Sequence, residues 1–324
     1  MTACISLIPG RTRGHRPRLQ LFGCFARRSK PNDLGFSLLE CLVAMTITLG
    51  VGMSIFQLFR QNEHVFRDEQ IVAEMQQSAR VAAFQIGDDL RLAGQGTPVF
   101  GASFDPSPGE STVVILNGSN SSRINFRAGF SNLETEAAAL LPVALAASSA
   151  RSLNVRDASD FAGALGSNPS NRFVYLWGLI GADNWGWARA NLVTIGSASN
   201  SLQVIPSQSI QFTSEPTISL DEAVAIFFDS AANSIKRTSA TDLTSPAAPA
   251  WAPANELAAN ITELTFGYYD EAVTPIVPNT LTARGRVRRI AVTLTAQSAE
   301  VLSTGKRPSL SLSFDTVPRN LRIP

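Results

Sequence analysis

Few residues in this chain have side chains that could do chemistry. Glu40 is the one charged residue in an apolar run of 24 residues, 36–59. A charged side chain taken into the core of a bilayer costs roughly 2.5–3.5 kcal/mol on insertion scales, so Glu40 there needs a proton, a route to the interface or a cationic partner. Four arginines fall within the six residues of "RGRVRR", 284–289. Arg286, Arg288 and Arg289 carry the charge that a nucleic-acid backbone requires. The same spelling also suits a charged turn that enters a strand and discourages edge pairing. Catalytic combinations are missing. The two histidines are His15, in a basic arm, and His64, just past the apolar run. The three cysteines, Cys4, Cys24 and Cys41, all precede residue 42. A Ser-His-Asp or Cys-His site within residues 95–324 is thereby excluded, as is a Cys/His zinc site there. No P-loop, EF-hand or G-x-S-x-G spelling occurs. "AGQGTPVFG" holds a G-x-G, but after a helical pattern instead of a strand, which is the wrong context for a dinucleotide. The expectation is a non-enzymatic protein with no cofactor and no metal.

The elements that position Glu40 are legible from charge and period. Residues 1–35 hold seven bases (Arg11, Arg13, Arg16, Arg18, Arg27, Arg28 and Lys30) against Asp33, a net +6. The remaining 20 bases and 25 acids make the rest −5, within a total of +1. A basic arm joined directly to an apolar run keeps the arm in the cytoplasm and exports the C-terminal part. The run is helical in length for a span: 24 residues at about 1.5 Å each reach about 36 Å, against about 30 Å of hydrocarbon. No small-residue cleavage site closes it, so it does not read as an ordinary secretory signal. Beyond Arg60 the pattern turns amphipathic. Val72, Met75, Ala79, Ala82, Ile86, Leu90 and Ala93 keep to three- and four-residue steps, with Gly94 as the stop. The spacing predicts one helix over 36–93 whose second part packs on a sheet. An exported domain without cysteines rests on its core alone.

After residue 96 the chain reads as β. Expected strands are 112–117, 123–127, 173–178, 191–196, 201–206, 223–229, 234–238, 261–270, 286–297 and 309–315, each β-branched or aromatic and bounded by turn formers. The clearest alternation sets Arg288, Ile290, Val292 and Leu294 against Arg289, Ala291, Thr293 and Thr295, the second set facing solvent. The stretch 137–150 reads as a loop with room for a short helix, and 244–255 as an extended Pro/Ala-rich loop whose Trp251 covers a sheet edge. Trp177, Trp185 and Trp187 read as core and loop packing. The class is α+β: a long N-terminal helix on an antiparallel sheet domain.

"GFSLLECLVAMTITLG" (35–50) resembles the N-terminus of a type IV prepilin: a basic leader, Gly, an aromatic residue, and Glu five places into the mature chain. "QQSARVAAFQIGDDLRLAGQG" (76–96) and the tail "SFDTVPRNLRIP" (313–324) are similar to the PilW-like minor pilins. The resemblance implies that a membrane prepilin peptidase cuts between Gly35 and Phe36 and methylates the new amine of Phe36. Glu40 would then lie four residues from a cationic N-terminus, on one helix face. In a helix bundle of low dielectric, the amine of a neighbouring subunit relieves the buried carboxylate and sets the axial stagger. Two features depart from the pattern: the leader is long, with "PNDL" between Lys30 and Gly35, and no proline interrupts the helix, where Gly50 and Gly52 are the sole breakers.

The implied organisation is a leader (1–35), a pilin helix (36–94, membrane-embedded to about 59) and an exported β domain (95–324). The implied function is a minor pilin of the pilus initiation or tip complex, serving assembly, adhesion or twitching motility. Its partners would be the peptidase, other minor and major pilins and inner-membrane lipid, with DNA or a surface ligand on the alternative reading. It would sit in the inner membrane with the domain in the periplasm, then in the pilus at the cell surface. Two rivals stay open: a type II secretion pseudopilin of the J kind, and a tip-located DNA-binding or adhesive receptor using Arg286, Arg288 and Arg289. Replacing Gly35 by a bulky residue is expected to leave the leader attached, read as an unshifted intact mass; normal processing contradicts the cleavage assignment.

Overall fold

The computed structural model describes residues 37–98, 109–139 and 141–318. The chain divides into two units, 1–59 and 60–324. Helix α1 spans Leu38–Arg91, 54 residues without a break at Gly50 or Gly52. The expected start at Phe36 lies outside the described residues. In the first unit the helix is exposed on every side. In the second it buries a stripe: Ile71, Met75, Ala79, Ala82, Ile86, Gly87 and Leu90. The stripe begins one residue earlier than expected, since Ile71 is buried and Val72 is only half-buried. The helix ends at Arg91, two residues short of the expected Ala93, and a turn carries the chain on to a left-handed Gly94 (φ 85°), whose N–H donates to the carbonyl of Arg127 at 2.8 Å.

The rest is antiparallel sheet. The first sheet orders the strands Arg123–Arg127, Ala223–Asp229, Ser234–Asp242 and Ala250–Trp251, with Asn255–Ala259 also on Ser234–Asp242. The second orders Pro275–Ile276, Ile261–Tyr269, Arg289–Gln297 and Ser309–Thr316. The third has six strands, Glu134–Glu136, Thr217–Leu220, Arg172–Leu179, Trp185–Gly196, Ser201–Pro206 and Arg151–Asn154. A two-stranded piece pairs Val143–Leu145 with Ile210–Phe212. With the long helix, this is an α+β layout.

The apolar side chains gather into two main cores. One joins the α1 stripe to the inner faces of the first two sheets, through residues such as Ile124, Phe126, Ile226, Phe266, Ile290 and Val292. The other lies on the third sheet, where Val174, Leu176, Leu202 and Ile218 meet Phe161 of a short helix α2, Ser159–Leu165. The alternation expected near the C-terminus is present: Ile290, Val292, Leu294 and Ala296 are buried, with half-buried residues between them. On the outer face Thr293 and Ser313 hydroxyls lie 3.0 Å apart across the register.

Several expectations need correction. Residues 112–117 form no strand. Val113, Val114, Ile115 and Leu116 are all buried in succession, and a single bridge joins Ile115 to Phe126. An all-apolar run does not alternate, so it says nothing of which face turns inward. Residues 137–150 hold the strand Val143–Leu145 in place of a helix. Trp185 and Trp187 lie in a long strand, not a loop. The strand expected at 286 starts at Arg289, because a short helix α3, Leu281–Gly285, capped by Thr280 and ending at Arg286, occupies the chain before it. Many short strands carried no signal. Trp251 does form an edge, pairing with Ala240 and packing against a small cluster of Leu116, Ala223, Ala240 and Leu243.

The two main cores meet at one carboxylate. Asp221, fully buried, lies between the strand Thr217–Leu220 of the third sheet and Ala223–Asp229 of the first. Its Oδ1 accepts from Arg127 Nε at 3.0 Å and its Oδ2 from Arg189 Nε at 2.9 Å. Arg127 also donates to the carbonyls of Glu110 and Val113, both at 2.8 Å, and Arg189 to that of Leu243 at 2.7 Å. The Arg189 guanidinium stacks 3.8 Å from the centre of the Phe173 ring. Burial opposes the Arg127 charge, but Asp221, Tyr175 and Glu110 together hold the guanidinium pKa above its ordinary value. Burial pushes the phenol of Tyr175 upward, so it stays neutral and donates to the Ser111 carbonyl. Asp221→Asn removes the anion between two buried cations. It is expected to cost about 3–5 kcal/mol in urea unfolding of the full chain, and a loss under ~1 kcal/mol would contradict the bridging role.

Candidate functional site

The candidate site is the apolar helix of the first unit and its carboxylate. Between 38 and 59 large apolar side chains point outward all round: Leu38, Leu42, Met45, Ile47, Leu49, Met53, Phe56 and Phe59 are each more than half exposed. Hydropathy over an 18-residue window averages 1.9, and none of that window is buried. This is one helix long and apolar enough to cross a membrane. A core helix of a soluble domain would bury part of such a surface. The hydroxyls of Thr46, Thr48 and Ser54 inside the run are satisfied locally. Thr46 Oγ1 donates to the Val43 carbonyl at 2.9 Å, Thr48 Oγ1 to Ala44 at 2.7 Å and Ser54 Oγ to Gly50 at 2.9 Å. Hydroxyls bonded back to the preceding turn need no water, which is the condition for a polar group in hydrocarbon.

Glu40 is in the first turn. Its N–H donates to Ser37 Oγ at 3.3 Å and to the Ser37 carbonyl at 3.0 Å, and the Cys41 N–H reaches that carbonyl at 3.2 Å. Ser37 thus caps the helix, with Glu40 three residues on, the spacing of a capping box. An acid in the first turn also faces the positive end of the helix dipole. This local role is written in the sequence as Ser37-x-x-Glu40 and is absent from the period-based reading. The Glu40 carboxylate is exposed and has no partner among the described residues. The expected cleavage and methylation residues, Gly35 and Phe36, lie outside the described residues.

The arginine cluster is dispersed. Arg284 is buried, paired with the Glu110 carboxylate and 3.1 Å from Asn117 Oδ1. Arg286 Nη2 reaches Asp270 Oδ2 at 2.8 Å. Arg288 Nη1 donates to the carbonyls of Gly285, at 2.8 Å, and Val287, at 3.0 Å. Arg289 pairs with Asp315 and lies 5.4 Å over the Tyr269 ring. Every one of the four has an acceptor inside its own chain. Asp88 and Asp89 separate in the same way: Asp88 meets Arg91 on the surface at 2.7 Å, while Asp89 holds Arg237 of the first sheet at 2.7 Å. Burial raises the Asp89 pKa, and Arg237 only partly offsets it. His64 lies on an exposed stretch of α1. Among the described residues no group of three or more His, Cys, Asp and Glu side chains is placed to hold a metal.

No protein-family model matches the chain, and no curated protein or solved structure matches it. The class defined by the structure is therefore its own description: a chain with one membrane-length apolar helix and an antiparallel β domain.

Asp270 supplies a pH test of the domain. It accepts the Thr274 N–H at 2.8 Å as well as Arg286, and these hold its pKa below the ordinary 3.8, the backbone bond contributing most. A depressed carboxylate stabilises the fold fully above its unfolded pKa and loses that contribution as pH falls through the lower folded value. Asp270→Asn is expected to lower the melting temperature at pH 7, and the gap from the parent should narrow as pH falls below the ordinary carboxylate value of 3.8. A gap that stays constant as pH is lowered well below that value contradicts the assignment.

Proposed function

We propose that this chain is a minor pilin of the PilW-like kind, a structural subunit that assembles through its N-terminal helix. The observation that carries the reading is the helix of the first unit: apolar on every face, with its hydroxyls internally bonded and a single carboxylate in its first turn. The basic arm before it and the Gly35–Phe36 pair support the same reading. The cap alone leaves the Glu40 carboxylate without a cationic partner, and an unpaired carboxylate costs free energy wherever it is submerged. A bundle-forming helix does have a use for it. Cleavage before Phe36 creates an amine, and the Glu40 carboxylate of one subunit pairs with that amine on the next. The pairing sets the axial offset between helices, since every other contact along the run is non-directional grease. The exported β domain is then carried as cargo on the helix. In this reading the chain works beside other minor and major pilins, in the inner membrane and then at the pilus tip. A phosphate-contact role for Arg286, Arg288 and Arg289 gains no support from their internal pairing.

Ser37-x-x-Glu40 gives Glu40 a second, local function, and substitution separates the two. Glutamine keeps the polar third position of the helix but loses the charge. Glu40→Ala and Glu40→Gln are both expected to be processed normally and yet fall roughly 100-fold or more in sheared surface filaments, the equivalent of ~3 kcal/mol. If glutamine restores incorporation, the charge pairing is wrong and only the cap matters. The N-terminus of filament-borne material, read by mass spectrometry, should be N-methylated Phe36; material that begins at Met1 rules the reading out.

A further inference from the structure

Residues 60–74 of α1 are held to the β domain differently from the rest of the helix. Among them only Ile71 is buried, and the core cluster begins at Met75. The stripe is also loosest here: Ile71 and Met75 are each 8% exposed, whereas Ala79, Ala82, Ile86 and Leu90 are at 0%. Beneath this stretch lies a groove of about 260 Å³, lined by Ile71, Met75, Ala259, Ala296 and Ser298 among others. The loop that joins the strands Arg289–Gln297 and Ser309–Thr316 crosses to the helix at this point. It is a self-supporting turn, with Leu302 N–H on the Lys306 carbonyl and Gly305 N–H on that of Leu302, both at 2.9 Å. It grips α1 through two polar contacts. Arg67 Nη2 meets Glu300 Oε2 at 3.0 Å, and the Asp68 carboxylate accepts the Ser303 N–H at 2.9 Å together with the Ser303 hydroxyl. None of residues 299–307 is buried and Leu302 is only half-buried, so little apolar burial accompanies the grip.

We propose that the loop 298–308 is a releasable strap, and that the α1 segment 60–74 detaches from the β domain as a unit while the helix from Met75 onward stays docked. Two solvent-exposed polar contacts hold far less tightly than the apolar stripe beyond Met75. Local opening takes place where buried apolar contact is scarce and backbone bonds face solvent. Once released, this stretch keeps only the helix's own backbone bonds, which face solvent, and its amides exchange sooner than those of the docked part. For a domain tethered by an apolar helix, the strap is a hinge that lets the domain reorient without disturbing either core. That use rests on the membrane reading of the first unit, whereas the strap itself does not.

Hydrogen exchange of the full chain in phospholipid nanodiscs, read by mass spectrometry, tests this. In the parent, amides at 62–74 are expected to exchange at least ~10-fold faster than those at 79–90 and in the strand Arg289–Gln297. Asp68→Ala should speed exchange at 62–74 by up to about 5-fold, and combination with Glu300→Ala by more, leaving the other regions unchanged. Alanine is the better helix former, so faster exchange cannot come from lost propensity. Three outcomes overturn the strap: equal exchange at 62–74 and 79–90 in the parent, no response to the double substitution, or acceleration of the strand as well. Rapid exchange at 38–59 in the nanodisc would instead defeat the membrane reading, and 62–74 would still report on the strap.

Discussion

The β unit depends on one shared carboxylate. Asp221 divides its two oxygens between Arg127 of the first sheet and Arg189 of the third. The chain itself passes from one sheet to the other at that residue, so connectivity and charge coincide. Two guanidiniums in a low-dielectric junction repel each other, and only an anion between them makes their burial tolerable. The arrangement propagates outward. Arg127 Nη1 donates to the carbonyls of Glu110 and Val113. The apolar run at 113–116 packs beside the strand Arg123–Arg127 as irregular chain, with Leu116 N–H on the Asn125 carbonyl at 2.8 Å and Arg127 N–H on that of Val114 at 2.9 Å. Arg189 in turn fixes Leu243 and stacks on Phe173. Hydrophobic burial makes each core, and this ion triad decides how the two are joined.

Helix α1 meets a different constraint in each unit. Residues 38–59 expose apolar surface in all directions and fold their hydroxyls back on the helix, a solution suited to hydrocarbon. Residues 75–90 concentrate burial in one stripe, a solution suited to packing on sheets in water. The interval between them, 60–74, meets neither condition fully. Its attachment is polar, exposed and weak, which makes it the natural place for the helix and the β domain to part company.

The long periodic elements are legible in the sequence. The helix, the Gly94 turn that follows it and the alternating strand near the C-terminus all arise from period, since each is specified by neighbours within a few residues. The capping serine is equally local, as Ser37-x-x-Glu40, but the charge of Glu40 masks it. The short strands are hidden for the opposite reason. Glu134–Glu136, Thr217–Leu220 and Ile210–Phe212 are too brief to show a period, and they exist because neighbouring strands offer them free edges. The arginine cluster shows the hazard of reading charge by proximity in the chain: adjacent arginines went to Glu110, Asp270 and Asp315, three acids in three different places.

By itself the sequence determined what depends on near neighbours: an apolar helix of membrane length with one acid near its start, a basic arm ahead of it, an amphipathic continuation, and a β-rich remainder without cysteine. Tertiary structure alone decided which distant polar groups meet. Arg127 and Asp221 are 94 residues apart, Glu110 and Arg284 are 174 apart, and Asp68 and Ser303 are 235 apart. Nothing local encodes such pairs. They arise only when the packed core has closed the long loops between them, and around Arg127 and Asp221 it also removes the water that would otherwise solvate each charge separately.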